Sequence, residues 1–411
     1  MSLEKKHRKI YRQRRRKKEW ISDLPRHKRL GKRLEKLNKI LLTDLLSKIL
    51  HVPHADGPLD PMSVRSILLL RNDAIGDMVL TSPIWRTVKK YYPHIRIGIA
   101  GSFRNLPLIQ FDPDVDASFD CTDGDLRAIL RTRKELKKEP WDVVMPMVYY
   151  RKTKMAILAH ILAPGAITST LLKPGESAEH YRKLFSILAP SPYDTDDAEM
   201  IEQSRMHLLG TLDIKISDED WVPSLRPDPS AVRNITDRIS RILNADNTQG
   251  YIHLNLEAKS AFKEYGMVNS FELSKQLLIR NPELSILWTS SPVVANNAEE
   301  FLDQKRHLRI HFVRTGNIHE LIGLISNAKL VVTPDTSVVH IASAFKRPVV
   351  GLYPIKHPWP PYKTEYRLVL PKRGEPVSSI PVADVLSACQ ELLPSATTHS
   401  IPTTASVAAR D

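Results

Sequence analysis

From about residue 64 onward, short apolar runs alternate with longer stretches in which apolar residues recur every three or four positions. Ser66–Leu70 reads as a buried strand, and Arg71-Asn-Asp-Ala-Ile-Gly-Asp77 as a polar loop. A helix over Met78–Tyr92, with Pro83 near its start, comes next. Strands at Arg96–Ala100, Ala117–Phe119 and Val143–Met147 then alternate with helices at Leu126–Lys138 and Lys154–Leu162. Apolar strands without a two-residue alternation, separated by helices, imply a parallel sheet covered on both faces. The uncharged stretch Met155–Leu172 is broken by Pro164-Gly165 and contains His160, so it reads as helix, turn and strand rather than a membrane span. Glu179–Ile214 reads as two helical stretches around the turn-rich residues 190–197.

The same rhythm returns after the proline-punctuated segment Trp221–Pro229, which is taken as the inter-domain region. A helix over Ala231–Leu243 opens the second half. Strands follow at Tyr251–Leu254, Ile286–Trp288 and Ile310–Val313, with helices at Ser270–Arg280 and Asn297–Gln304 and one capped by Asn317 that runs to Asn327. In residues 329–353 the strand Leu330–Val332 stops at Pro334. Asp335, Thr336 and Ser337 are candidate caps of a helix whose apolar face is Val338, Ile341, Ala342 and Phe345. Arg347-Pro348 ends that helix and Val349–Tyr353 forms a second strand. A final helix spans Val382–Leu393. The expected organisation is an extension over 1–61, a first Rossmann-like domain over 62–225, a second over 226–393, and a disordered tail over 394–411.

Composition alters this picture in one place. The 411 residues carry a net charge of +14, of which +13 falls within the first 50, so the remaining body is almost neutral. Residues 4–29 are dominated by Lys, Arg and His, including Arg14-Arg15-Arg16-Lys17-Lys18. Leu34, Leu37, Leu41, Leu45 and Ile49 then trace an amphipathic helix, and His51–Pro61 reads as a linker. A basic arm with such a helix suits an anionic membrane surface through residues 1–50. A helix docked on the protein's own body is the competing reading, and nucleic acid is the disfavoured partner. No apolar core follows the charges, so no signal peptide is expected. Two cysteines, Cys121 and Cys389, form no metal or redox pattern.

Two polar corners carry the candidate chemistry. Each follows a strand and precedes a helix, where backbone N–H groups and the helix dipole suit a phosphate. In the first, Gly76 would let a backbone approach a ligand and Asp77 offers a carboxylate able to take a proton, with Asp73 as a rival. The plain reading of Asp77 is a helix cap. In the second, His340 falls one turn after Thr336. The loop after Tyr251–Leu254 supplies Asn255, Lys259, Lys263 and Tyr265, a lysine for a phosphate and an aromatic to shape a pocket. No Walker lysine motif and no glycine-rich dinucleotide fingerprint is present.

Arg71-Asn-Asp-Ala-Ile-Gly-Asp-Met-Val-Leu-Thr-Ser-Pro83 resembles the N-terminal signature of the ADP-heptose–lipopolysaccharide heptosyltransferases, glycosyltransferase family 9. Asp335-Thr-Ser-Val-Val-His340, with Arg347-Pro348 and Gly351-Leu-Tyr353, resembles that family's C-terminal signature, and the likeness runs from about Val64 to Pro361. The resemblance implies an α/β GT-B fold, two facing Rossmann-like doubly wound domains, here preceded by a basic helical extension. It implies inverting transfer of heptose from ADP-heptose to a lipopolysaccharide core or related lipid-linked glycan, with no cofactor and no metal required. Carried over by position, Asp77 is the general base. Gly76, Asn255, Lys263, Asp335, Thr336, Ser337 and His340 bind substrate, Ser337 standing where many members have glycine. Glu299 and Glu320 are both possible partners of the donor ribose. The implied location is cytoplasmic, peripheral at the inner face of a bacterial inner membrane. Transfer of another nucleotide-activated sugar is the alternative, and after it a non-catalytic nucleotide-sugar or nucleic-acid binding role.

Overall fold

The computed structural model describes residues 43–192, 200–305, 309–355 and 359–393. Most of the basic arm and the expected tail lie outside the described residues.

The first half is a six-stranded parallel sheet built from β1 (Ser66–Leu70), β2 (Arg96–Gly101), β3 (Ala117–Asp120), β4 (Val143–Pro146), β5 (Ile167–Leu172) and β6 (Ile187–Pro190), in the order β3-β2-β1-β4-β5-β6. Helices α1 (Ile75–Tyr91), α2 (Leu126–Leu136), α3 (Lys152–Leu162), α4 (Ala178–Arg182) and α5 (Met200–Thr211) accompany it. All five residues of β1 are buried, as a central strand covered on both faces requires. Fully burying each leucine there stabilises the fold by about 1.5–3 kcal/mol.

The second half repeats the plan. Helix α6 (Pro229–Asp246) leads into β7 (Gly250–Asn255), α7 (Met267–Arg280), β8 (Leu284–Thr289), α8 (Pro292–Lys305), β9 (Ile310–Phe312), α9 (Ile318–Asn327), β10 (Leu330–Pro334), α10 (Ser337–Ala344), β11 (Val349–Leu352), β12 (Tyr366–Val369) and α11 (Val382–Leu392). The strand order is β12-β11-β10-β7-β8-β9, again all parallel. In each sheet the order reverses direction once, between β1 and β4 and between β7 and β10. Such a switch point opens a crevice beyond the strands' carboxyl ends, and that is where both polar corners sit.

Several expectations need correcting. Helix α1 begins at Ile75, three residues before the Met78 expected from the pattern, with Ala74 as its uncapped N-cap, so Asp77 lies in the first turn and is not a cap. Pro83 falls in the middle of α1, where it deprives the Val79 carbonyl of its helical partner. The Ser82 hydroxyl donates to that carbonyl instead (2.7 Å), which keeps the helix intact. The segment expected to hold two helices contains the short α4, then strand β6, then α5. Edge strand β12 was also unforeseen.

At the N-terminal margin, residues 43–49 are helical. Leu46 and Leu50 pack on Ala156, Tyr181, Leu184 and Phe185, and Lys183 pairs with Asp44 at 2.5 Å. The stripe expected to be the apolar face turns outward here: Leu45 is 57% and Ile49 63% exposed. Among the described residues no helix is long and apolar enough to cross a membrane.

Candidate active site

The first corner is built around a buried guanidinium. Arg71 follows directly on the three leucines of β1 and is fully buried. Its Nε donates to Thr81 Oγ1 (2.9 Å), and its Nη1 donates to the Met147 carbonyl across the β1–β4 switch point (2.7 Å) and to Asp73 Oδ2 (3.1 Å). Asn72 reaches the Cys121 carbonyl (3.1 Å) and Asn105 donates to the Arg71 carbonyl (2.9 Å), which fixes the loop on both sides. Burial alone would weaken the guanidinium's hold on its proton, but Asp73 and Asp77 beside it more than compensate and raise its pKa. Burial also pushes the Asp73 carboxyl up to about 6, opposed by Arg71 and reinforced by the Asp77 carboxyl. Asp73 Oδ1 is buried with no hydrogen-bond partner among the described residues. The corner therefore carries two acids at the start of α1, Asp77 in its first turn and Asp73 just before its N-cap.

The second corner is neutral-to-basic in character. β10 ends at Pro334, Thr336 is extended (φ −142°, ψ 177°), and its hydroxyl accepts from the Val338 N–H as the N-cap of α10 (3.3 Å). Of the three candidate caps, Thr336 takes the role. Asn255, at the end of β7, directs its Nδ2 at Thr333 Oγ1 (3.1 Å), Thr336 Oγ1 (3.3 Å) and the Glu257 carbonyl (3.0 Å), closing the β7–β10 switch point. Lys263 arrives from the short turn Ala261–Lys263 and pairs with Asp335 at 2.7 Å. Tyr265, expected to shape a pocket, is buried in the second-half core among Leu254, Leu273 and Cys389. Lys259 is exposed.

The two corners meet. A Cβ placed on Gly76 would lie 2.7 Å from His340 Cδ2 and 3.5 Å from Ser337 Cα, so the first turn of α1 abuts the first turn of α10 with no room for a side chain. Val338, Ile341 and Ala342 join the same buried cluster as Met78 and Val79. Further contacts span the halves: Tyr362 donates to Glu202 (2.6 Å), and His319 stands edge-on to Phe111 at 5.1 Å between centroids. The structure thus brings Gly76, Asp77, Asp335, Thr336, Ser337, His340, Asn255 and Lys263 to the two facing corners.

Beside the second corner, at the carboxyl ends of β8 and β9, lies a cavity of about 360 Å³ lined by Arg238, Ser290, Phe312, Arg314, Gly316 and Glu320. Glu320 accepts from the Gly316 N–H (2.8 Å) and pairs with Arg238 at 3.4 Å. Glu299 instead holds Arg314 through both carboxylate oxygens (2.7 and 2.6 Å) and does not line the cavity. Arg71, Arg238 and the Lys263–Asp335 pairing were not foreseen. Only the position of Arg71, directly behind an apolar strand, could have signalled its burial. Among the described residues no group of three or more His, Cys, Asp or Glu could hold a metal ion.

Comparison with known proteins agrees with this architecture. The lipopolysaccharide heptosyltransferase 3 of Escherichia coli is 24% identical over 349 residues, covering 79% of this chain and 98% of that protein. A family 9 glycosyl transferase from Veillonella parvula superposes with a TM-score of 0.65 at 14% identity, over 83% of this chain and 99% of that one. Escherichia coli heptosyltransferase WaaC with ADP-2-deoxy-2-fluoro heptose gives 0.60 at 16% identity, over 79% and 99%. Residues 129–378, well over half of the chain, match the family model described as glycosyltransferase family 9 (heptosyltransferase). The chain belongs to that family.

Proposed function

We propose that this chain transfers heptose from ADP-heptose to a lipopolysaccharide-core or related lipid-linked glycan acceptor, with inversion at the anomeric carbon. The abutment of Gly76 on His340 and Ser337 carries the reading, because it sets a carboxylate turn and an anion-seating turn against each other at the two switch points. Asp77 removes the proton from an acceptor hydroxyl as its oxygen forms a bond to the anomeric carbon. The bond from that carbon to the diphosphate breaks on the opposite face, and ADP leaves with the electron pair. The proton stays on Asp77 until solvent removes it.

Charge growing on the diphosphate is met by the N–H groups of α10, the Thr336 and Ser337 hydroxyls and Lys263, which Asp335 holds in position. Asn255 acts indirectly by fixing Thr336, and His340 fills the joint between the corners. The cavity at β8–β9 takes the nucleoside, with Glu320 rather than Glu299 available for the ribose. The donor assignment is supported by the ADP-sugar analogue named with WaaC. No metal or cofactor enters this scheme. The location that fits is the cytoplasmic face of a bacterial inner membrane, with residues 1–50 against anionic lipid and Leu45 and Ile49 turned outward.

Replacing Asp77 with Asn tests the assignment. Turnover is expected to fall by about 10²–10⁴-fold while ADP still raises the melting temperature as in the parent protein. Turnover within a few fold of the parent would remove Asp77 as the base. In the same assay EDTA should leave the parental rate unchanged, and a lost rate restored by a divalent cation would overturn metal independence.

A further inference from the structure

We propose that the outer face of α2 is a contact surface for an anionic lipid bilayer, presented by the folded body in addition to the N-terminal arm. Residues 51–411 carry a net charge of only +1, yet the thirteen residues from Leu126 to Lys138 hold six basic side chains against Glu135 alone. The distribution around the helix is ordered. Ala128, Thr132 and Leu136 are buried against the sheet, with Asp125 capping the N-terminus through the Arg127 and Ala128 N–H groups. On the opposite arc, four residues apart, stand Leu126 and Leu130, 73% and 60% exposed. Arg127, Arg131, Lys134, Lys137 and Lys138 share that arc and are all exposed.

A solvated basic face has no use for two leucines at its outermost positions. A polyanion such as RNA would engage the charges and leave the leucines in water. An anionic bilayer uses both, since the leucines enter the acyl boundary while the Lys and Arg heads reach the phosphates. The placement also suits the chemistry. Helix α2 starts six residues beyond the carboxyl end of β3, at the edge of the sheet that carries Arg71–Asp77, and Asn72 of that corner bonds to the Cys121 carbonyl just after β3. Phe103, 62% exposed, stands at the same edge, its N–H donating to Thr122 Oγ1 (3.0 Å). A lipid-linked acceptor in a bilayer beneath α2 therefore presents its glycan on the Asp77 side. This last step rests on the proposed function, whereas the lipid contact itself does not.

Residues 1–50 carry a net charge of +13 and would also attract anionic vesicles, so the test must report locally. An environment-sensitive fluorophore is attached to L130C and, in a separate protein, to I279C on the exposed face of α7; the native Cys121 and Cys389 are buried. With phosphatidylglycerol vesicles the L130C label should shift to the blue and be quenched by brominated acyl chains. It should not respond to phosphatidylcholine vesicles, and the I279C label should stay unchanged with both. Adding R127E, R131E and K134E should raise the lipid concentration at half-signal by about tenfold or more. A silent L130C label, an equal response at I279C, or a half-point unmoved by the charge reversals would overturn the proposal, as would an L130C response to RNA equal to that to vesicles. Stabilisation by ADP, measured on each protein, reads the donor site separately, so a silent label with intact ADP binding removes the surface and leaves the proposed function standing.

Discussion

The two corners use one backbone device for opposite ends. Both follow a central parallel strand, both open a helix at a switch point, and both lie in the crevice. Arg71–Asp77 has no side-chain cap on its helix and holds two acids around a buried guanidinium. Pro334–His340 has a hydroxyl cap, an amide that ties two threonines together, and a lysine drawn in by an aspartate. The comparison teaches that the fold supplies position and exposed N–H groups, while the side chains around each helix start decide whether a corner handles protons or seats an anion. Asp73 and Asp335 show this most clearly, since each carboxylate is paired with a cation but only Asp73 has a second acid, Asp77, acting on it.

That contrast is sharpened most by Asp73. Its folded pKa, about 6, is raised above the ordinary 3.8, so the neutral form is the one the fold favours. The stabilisation is fully present below pH 3.8 and is lost as pH rises through 6. The parent protein should therefore lose stability against urea between pH 4 and pH 7 more steeply than an Asp73→Asn variant, which keeps an acceptor for Arg71. Parallel profiles would show that Asp73 titrates normally.

At the other corner the lysine is decisive. Lys263→Met removes the ammonium and leaves the Asp335 carboxylate facing the diphosphate, so ADP affinity should fall by about 10–100-fold, the range of one or two charge-assisted bonds. Adding Asp335→Asn should recover part of that loss, because the repulsion goes with the charge. If the double variant binds ADP no better than Lys263→Met, measured by calorimetry, the Asp335 carboxylate does not face the diphosphate.

The repeating strand–helix plan was legible because central parallel strands are apolar throughout, and Asn317 was legible as a cap because its side chain serves the N–H groups of His319 and Glu320. The misses have physical causes. Strand β6 hides in a stretch where Tyr181, Leu184, Phe185 and Leu188 mimic helical spacing, although Leu184 and Phe185 pack in a loop between α4 and β6. Strand β12 is a four-residue edge, half of it exposed, with little apolar signal. At the site, the residue types were readable but their pairings were not. Lys263 and Asp335 are 72 positions apart, and Gly76 and His340 belong to different halves.

The contact between the corners is the smallest effect and the most direct test of whether they work as one site. Alanine at Gly76 sets a methyl group 2.7 Å from the His340 ring, closer than side chains tolerate, and 3.5 Å from the Ser337 backbone, which is ordinary contact. The conflict is therefore with a side chain that can move, so a modest shift of the His340 ring relieves it. Turnover should fall by about tenfold, as a misplaced base across the cleft would cause, with ADP binding nearly unchanged. Shortening the obstacle with His340→Ala in the same protein should restore a large part of the rate, although His340→Ala alone lowers it. A Gly76→Ala protein with parental turnover would mean that the corners need not touch for transfer. A double variant slower than either single one would mean that His340 contributes something other than the fit.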